Sequence, residues 1–358
     1  MPEPLPVIPD DVRFVKLDIL LRFKGDPSVS WKLPRYKTSA FRGGLGNMLL
    51  MEHCISDRNC EACSFRNECV VQRIFYHKLR IRPSFVQSGE SLGFVIECTD
   101  KRMHASGGDT LRVGLILFGD VIVHFSALLQ ALYRLGLQGL GKDHACFDVM
   151  RIRKLTGQHI DHDSGRIRDD WIDIFSEGNV YLANLSPLGL WEYAQLRAAI
   201  VAQNISTSID ESGCIPIRFR YPWTQKYQGQ FLEHFNKDAF LEAIGRRLYL
   251  LRCLEGIDVD AESATTEPAP ASAGPHRHTY GMDSSLWDDI TMEVIHEEAM
   301  EVPRYSGTHK QKITLHGLVG ELRLHDMPPE LLPWLCAGEL THIGKNTSLG
   351  LGKYDIHI

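Results

Sequence analysis

The 358-residue sequence has no hydrophobic run long enough to cross a membrane. Its longest apolar stretches, residues 111–117 and 121–132, are interrupted by polar or charged side chains, whereas a membrane helix needs about 20 apolar residues in succession. The first residues, MPEPLP, also lack the basic and apolar segments of a secretory signal peptide. These absences argue against a membrane protein and predict a cytoplasmic location.

The sequence also lacks an excess of positive charge. It has 39 basic and 45 acidic residues, a net charge of −6, which argues against a protein that coats nucleic acid with its whole surface. The distribution is uneven, because residues 13–82 hold fourteen Lys or Arg and only six Asp or Glu. This segment predicts a local positive region able to neutralise phosphates, and the alternative is a solvated basic face without a ligand.

The periodicity of the first half predicts a mixed α+β fold. Alternating apolar residues at 12–23 indicate a strand, and helical spacing follows from residue 45. Two strand-like runs, 92–98 and 111–118, flank a turn and predict a hairpin, followed by a helix at 121–137 and a strand at 147–152. The order β-α-β-β-α-β is typical of a ferredoxin-like (RRM-like) domain.

The second half can be interpreted in the same way. A strand at 215–221, a helix at 231–254, a strand pair at 312–324 around Gly317 and Gly320, and a final strand at 354–358 repeat the order, with residues 331–335 completing it. Residues 258–278 are rich in Ala, Pro, Ser and Thr and predict a flexible insertion. We therefore expect two tandem ferredoxin-like domains, 1–200 and 201–358, with the boundary between about residues 184 and 212.

Four of the nine cysteines lie within sixteen residues, in the spacing C-x5-C-x2-C-x5-C. In a reducing compartment such a cluster indicates metal ligation more than disulfides. Four thiolates complete the tetrahedron of a structural zinc site and leave no position for catalysis. The alternatives are a reduced cysteine-rich loop and an iron-sulfur cluster. The predicted metal ligands, inserted in the first domain at residues 54–69, are Cys54, Cys60, Cys63 and Cys69. The other five cysteines are expected to be small buried hydrophobic residues.

A glycine-rich segment, THIGKNTSLGLGKY, spans residues 341–354. Gly344, Gly350 and Gly352 allow tight turns or a close approach of the backbone to a ligand, and Lys345 and Lys353 suit phosphate contacts. The segment is not a nucleotide-binding P-loop, because the G-K-[ST] ending is absent and no helix is predicted after it.

These motifs together resemble the CRISPR-associated RAMP superfamily. The G-K-x-T-S-x-G-x-G-x-Y ending is similar to its glycine-rich loop. The FRGGLG segment at 41–46, the four cysteines after it, and the RYS segment at 304–306 resemble one branch of its precursor-RNA processing endoribonucleases. The resemblance implies recognition of CRISPR repeat RNA and cleavage without a catalytic metal, in which a ribose 2′-hydroxyl attacks the adjacent phosphate.

That reaction needs a general base, a general acid and cations around the phosphorane. The resemblance implies a catalytic histidine near the end of the first helix, where His53 lies; the alternative for His53 is a role in the cysteine site. His342 in the glycine segment is the competing candidate, with Lys345 close enough in sequence to stabilise phosphate charge. His77 and His309 are weaker alternatives. The resemblance also implies RNA binding by the segment around the start of that helix, namely Tyr36, Lys37 and Arg42, and by the glycine segment, namely Gly344, Gly350, Gly352 and Lys353.

Three functions are compatible with this pattern. The first is a repeat-specific endoribonuclease. The second is a non-catalytic RAMP subunit that holds guide RNA together with other CRISPR effector subunits, because both kinds of protein share the glycine loop. The third is a metal-knuckle interaction module that binds no RNA.

Overall fold

The computed structural model describes residues 11–60, 62–76, 78–83, 85–86, 91–161, 167–207, 214–257, 280–306 and 311–357. The predicted insertion at 258–278 lies outside the described residues, as do His77 and His309. Within the described part of the chain, no helix is both long enough and apolar enough to cross a bilayer.

The first half alternates strands and helices in the predicted order, with additional short strands. Its strands are β1 (Arg13–Phe23), β2 (Ser30–Lys32), β3 (Phe94–Glu97), β4 (His104–Ser106), β5 (Thr110–Phe118), β6 (Phe147–Ile160), β7 (Ile167–Ser176), β8 (Asn179–Val180) and β9 (Leu188–Gly189). Its helices are α1 (Lys37–His53), α2 (Val70–Phe75), α3 (Phe125–Gln138) and α4 (Leu190–Thr207).

The main sheet of this half has the strand order β3-β5-β1-β6-β7-β8, with β9 also pairing to β1, and all of its pairings are antiparallel. Within it the order β3-β5-β1-β6 is that of a split βαβ unit in which α1 and α3 are the connecting helices. Alternate residues of β1 from Val15 to Phe23 are buried against these helices, as a period of two requires. The predicted mixed α+β class is therefore confirmed.

The second half has the same connectivity. It contains β10 (Ile215–Trp223), β11 (Lys226–Tyr227), β12 (Gln230–Phe231), α5 (Lys237–Glu255), β13 (Thr291–Ser306), β14 (Gln311–His325), α6 (Leu332–Thr341) and β15 (Tyr354–Ile356). Its sheet has the antiparallel order β13-β14-β10-β15. Helix α5 begins later than predicted, because the Asn236 side chain accepts a hydrogen bond from Ala239 N at 2.9 Å and caps the helix.

The predicted strand pair at 312–324 is wrong. This segment is one continuous strand, β14, whose partner β13 lies earlier in the chain. Strand β13 was missed because most of its first ten residues are exposed and it carries no clean apolar alternation.

The two halves share part of their hydrophobic core. One buried cluster joins Phe14, Ile116 and Phe118 of the first sheet to α5, α6 and the second sheet. Helix α4 also runs through the predicted boundary at residue 200. The division into two tandem domains therefore stays a prediction, since the packing is continuous across it.

Candidate functional site

A cavity of about 440 Å³ lies where the two halves meet, and five of its lining residues are cations. They come from α1, α5, β13 and the glycine segment and are Arg42, Arg246, Arg247, Arg304 and Lys345. None of the described lining residues is Asp, Glu or His. A cavity lined in this way favours the binding of a polyanion. The planar guanidinium group of arginine binds phosphate through paired hydrogen bonds.

Arg42 forms the wall of the cavity that belongs to the first half. Its guanidinium lies over the rings of Phe75 and Phe94, and its Nη2 donates to Ser91 Oγ at 3.0 Å. Its buried Nε has no hydrogen-bond partner among the described residues. Burial lowers the pKa of Arg42, and the positive charge of Arg304 lowers it further. An anion bound between these two guanidinium groups would remove both penalties.

Arg304 and α5 belong to the part of the lining that the second half supplies. Burial lowers the pKa of Arg304, whose Nε is also without a hydrogen-bond partner within the described ranges. Arg247 is only 3% exposed, donates from Nε to Thr341 O at 3.1 Å, and lies over the Phe118 ring. A buried arginine on the inner side of an apolar helix is costly, and a nearby phosphate would offset that cost.

Lys345 is the exposed member of the glycine segment and lines the same cavity as Arg42. The two residues are about 300 positions apart in the sequence and come from different halves of the chain. The structure therefore brings together the leading helix and the glycine segment, as the resemblance implies.

The glycines of this segment pack against other segments of the same chain. A Cβ on Gly350, which has φ +77°, would lie 2.5 Å from the carbonyl oxygen of Ile96. One on Gly344, with φ +81°, would lie 2.5 Å from that of Thr224. The buried Gly352 donates from its N–H to Pro222 O at 2.9 Å. The close approach that these glycines permit is to the strands of the two sheets, and of the three only Gly344 lines the cavity.

His342 and Lys353 stand at the two ends of the segment and share one carboxylate. His342 is fully buried, with Nε2 3.0 Å from Glu97 Oε1 and Nδ1 3.2 Å from Leu351 O. Lys353 Nζ donates to the same Oε1, and Lys16 Nζ lies 3.5 Å from Glu97 Oε2. The ring of His342 is thus enclosed, and the half-buried Lys353 has its ammonium group paired with Glu97, while the catalytic role of His342 and the RNA contact of Lys353 stay predictions.

The charges of this cluster set its protonation. Burial alone would raise the pKa of the Glu97 carboxyl, but Lys16, Lys353 and His342 outweigh it and hold the pKa well below its usual range. Burial lowers the pKa of His342 against the opposing effect of Glu97. Both ring nitrogens face oxygen acceptors, so a neutral ring donates to only one. We assign that proton to Nε2, since Glu97 is the charged and closer acceptor.

Two further residues predicted to bind RNA are also buried. Lys37 Nζ donates to the carbonyl oxygens of Asp100 at 2.9 Å and Arg102 at 2.6 Å. Tyr36 donates from its hydroxyl to Met300 Sδ at 2.7 Å, and its ring packs edge-on against Tyr221. Helix α1 begins at Lys37, so Arg42 lies in its second turn and not at its N-terminus as expected.

His53 is exposed but lies elsewhere. It ends α1, eleven residues after Arg42, which corresponds to about 16 Å along the helix axis. It lines a separate cavity of about 300 Å³ together with all four clustered cysteines. His53 therefore does not reach the cationic cavity in this structure.

The four cysteines present a donor set that suits zinc, although they are not gathered around one point. All four are free thiols lining the cavity next to His53, and Arg58 N donates to Cys54 Sγ at 3.2 Å. Among the residues described, no group of three His, Cys, Asp or Glu side chains is placed to hold a metal ion. The chemistry of the donors fits the metal, and binding would require the loop to close. Of the other cysteines, three are buried as expected and Cys146 and Cys214 are half-buried.

Most of the cavity wall does not follow from the sequence motifs. Arg304 was noticed only as part of a motif, and the adjacent Arg246 and Arg247 were absorbed into a helix prediction. The signal that could have revealed them was present, since a pair of arginines within the apolar run of α5 breaks the pattern of a core-facing helix.

Two family models match the chain. Residues 16–177 match a model described as an N-terminal domain, and residues 215–354 match the model described as CRISPR-associated endoribonuclease Cas6. The comparison with curated proteins finds no match. The resemblance to CRISPR-associated RAMP-type processing nucleases that the sequence predicts is confirmed.

Several solved structures are similar to the chain. A partial Cas6-RT-Cas1–Cas2 complex and a Cas6-RT-Cas1–Cas2 complex each match 98% of this chain, with a TM-score of 0.52 and 12% identity. The chain spans 47% of the first protein and 29% of the second. Thermus thermophilus Cas6 matches 96% of this chain, which spans 98% of that protein, at a TM-score of 0.44 and 12% identity. The likeness to the two complexes shows a shared fold.

Proposed function

We propose that this chain, whose residues 215–354 match the CRISPR-associated endoribonuclease Cas6 family, binds CRISPR repeat RNA in the cationic cavity and cleaves it without a catalytic metal. The observation that carries the proposal is the position of Arg42 and Lys345. They line one cavity although they come from opposite ends of the chain, and three more arginines line it with them. Positive charge that is buried in this way is stabilised when a phosphodiester enters the cavity.

The reaction proposed is a transesterification. The ribose 2′-oxygen gives its proton to a general base and bonds to phosphorus, while the bond between phosphorus and the 5′-oxygen breaks and that oxygen takes a proton from a general acid. Negative charge builds on the phosphorane in between, where guanidinium groups on a preformed wall stabilise it more than they stabilise the ground state. Arg42 and Arg304 suit this role, and the exposed Lys345 is able to donate the proton to the leaving oxygen.

His53 remains a proposed general acid or base. His53 and Lys345 line different cavities. A catalytic His53 and a catalytic Lys345 therefore place the scissile phosphate at different points along α1. A panel of His53→Ala, His342→Ala and Lys345→Ala separates them, since only removal of the true acid or base should abolish cleavage of RNA that is saturated with protein.

A second candidate function is the non-catalytic RAMP subunit. It is favoured by the lack of a histidine or carboxylate among the described residues that line the cationic cavity. Both functions predict RNA binding that weakens steeply with salt, whereas a module without RNA predicts none.

Cleavage of repeat RNA in strong chelator separates the candidates. The endoribonuclease yields a product with a 2′,3′-cyclic phosphate end without added metal. RNA that stays intact but is bound as tightly as without chelator supports the non-catalytic subunit. Loss of cleavage when chelator is added contradicts metal independence.

We also propose that Cys54, Cys60, Cys63 and Cys69 hold a structural zinc ion. The support is their spacing and the cavity that they share. Such a metal would brace the loop after α1. A cytoplasmic location and association with other CRISPR proteins are part of the same proposal. The two solved complexes that share the fold bear names that include other Cas proteins.

A further inference from the structure

The glycine segment is attached to the second half of the chain through its backbone. Lys345 N donates to Thr224 O at 2.8 Å, and Gly352 N donates to Pro222 O at 2.9 Å. The segment also closes on itself, since Ile343 N donates to Gly352 O at 3.2 Å. These bonds set the shape of the segment within the second half.

One carboxylate of the first half bonds to the side chains of this segment. Glu97 ends β3, and its Oε1 accepts from both His342 Nε2 and Lys353 Nζ, which stand at the two ends of the glycine segment. Its other oxygen faces Lys16 of β1. One side chain of the first sheet therefore holds both ends of the segment that carries Lys345.

The backbone of the segment is held under constraint. His342 has φ +57°, a left-handed conformation that is strained for a non-glycine residue. That conformation points its ring at Glu97, and the hydrogen bond from Nε2 to the carboxylate compensates for the strain. Gly350 lies against Ile96, the residue before Glu97, which places the same strand under the middle of the segment.

We propose that Glu97 is a positioning residue, which holds the glycine segment against the first half so that Lys345 faces Arg42 across the cationic cavity. This inference rests on the proposed function. It means that a residue outside the cavity controls the distance between the two walls of the cavity. Glu97 does not line the cavity and acts only through the segment that it holds.

Glu255 provides a matched control. Its carboxylate is also buried and also joins the two halves, because it accepts from Arg13 Nε at 2.9 Å and from Arg13 Nη2 at 2.6 Å. It makes none of its hydrogen bonds to the glycine segment. A loss that arises only from breaking a buried ion pair between the halves should therefore appear in Glu255→Gln as well as in Glu97→Gln.

The first test is a double-mutant cycle in single-turnover cleavage of repeat RNA at saturating protein. Glu97→Gln should slow cleavage by about tenfold or more in the wild-type background and have little effect in Lys345→Ala, because it acts through Lys345. Glu255→Gln should change the rate by less than about threefold. Multiplicative effects of Glu97→Gln and Lys345→Ala would overturn the inference while leaving the proposed function intact.

The second test does not depend on catalysis. Hydrogen exchange of the Lys345 and Gly352 amides in the full chain should accelerate by about tenfold or more in Glu97→Gln and not in Glu255→Gln, whereas α5 amides stay protected in both. Unchanged exchange at these two amides overturns the inference. If wild-type protein cleaves no repeat RNA, the endoribonuclease proposal fails, and the exchange result alone decides the positioning role.

A third variant covers the case in which Glu97→Gln does not fold, since that change leaves Lys16, Lys353 and His342 around a neutral amide. Glu97→Gln combined with Lys353→Met removes one cation together with the carboxylate. In both tests this double variant should behave as predicted for Glu97→Gln. An effect on cleavage that multiplies with that of Lys345→Ala, or unchanged exchange at the Lys345 and Gly352 amides, overturns the inference.

Discussion

The Nε2 atom of His342 lies 3.0 Å from Glu97 Oε1, so the histidine of the glycine segment is bonded inside the protein. Its fully buried ring stabilises the segment and leaves Lys345 as the charged side chain presented to a ligand.

The first prediction concerns pH and stability. The folded-state pKa values of Glu97 and His342 both lie below their ordinary values of 4.5 and 6.5, so the unfolded chain binds more protons than the folded chain in acid. Their contribution to stability is present at neutral pH. The His342 part declines as pH falls below 6.5, and the Glu97 part declines below 4.5.

Urea unfolding of wild type and Glu97→Gln between about pH 3 and pH 7.5 measures the Glu97 part. Because Glu97 raises the pKa of His342, its removal lowers that pKa further, so the difference in the free energy of unfolding should not fall between neutral pH and pH 4.5 and should shrink only below pH 4.5. A difference that is independent of pH would contradict the assignment of charge to Glu97.

The second prediction concerns salt. Lys345→Gln and Arg304→Gln should each weaken RNA binding and reduce the slope of log affinity against log salt by about 0.7 to 0.9, the value of one phosphate contact. Lys142→Gln, an exposed position that does not line the cavity, is the control and should leave the slope unchanged. Equal slopes in all three variants would show that the cavity does not contact phosphate.

The third prediction concerns Gly350. Gly350→Ala should destabilise the protein through both its positive φ and the clash of the new methyl group with Ile96 O. Gly178→Ala is the matched control, because Gly178 has φ +82° and no atom lies within 4 Å of the position that a methyl group would take there. We expect about 1–2 kcal/mol for Gly178→Ala from backbone strain alone and a clearly larger loss for Gly350→Ala, measured by chemical unfolding. Equal losses would mean that the glycine segment adjusts to the new methyl group without any further loss of stability.

The fourth prediction concerns metal. Purified protein should contain about one zinc ion per chain, and Cys60→Ser or Cys63→Ser should lower that content and the melting temperature. Cys146→Ser, outside the cluster, should keep the metal. Elemental analysis that finds no zinc in wild-type protein prepared under reducing conditions would contradict the zinc proposal.

Much of the fold follows from local pattern. Alternation in β1 and helical spacing in α3 could be recognised because each of these elements has one buried face, and α5 could be recognised as a long run of residues most of which are buried. Strand β13 could not, because its pairing with β14 depends on backbone hydrogen bonds between mostly exposed residues. The burial of Lys37 and Lys353 was also beyond prediction, since their partners Asp100 and Glu97 lie far away in the sequence.

The candidate site was predictable only in part. Arg42 and Lys345 were found through motifs, whereas Arg246 and Arg247 become part of the site only when α5 packs beside the glycine segment. His53 and His342 were chosen because histidine has a suitable pKa, but sequence carries no information on which of them a tertiary contact will bury.

The most direct test of the account is the single-turnover rate of repeat RNA cleavage in chelator by wild type, Lys345→Ala, Arg304→Ala and Lys142→Ala. If cations from both halves act on one phosphodiester, Lys345→Ala and Arg304→Ala should each slow cleavage by about 100-fold at saturating protein, with Lys142→Ala unchanged. Wild-type rates in both cavity variants would contradict the account.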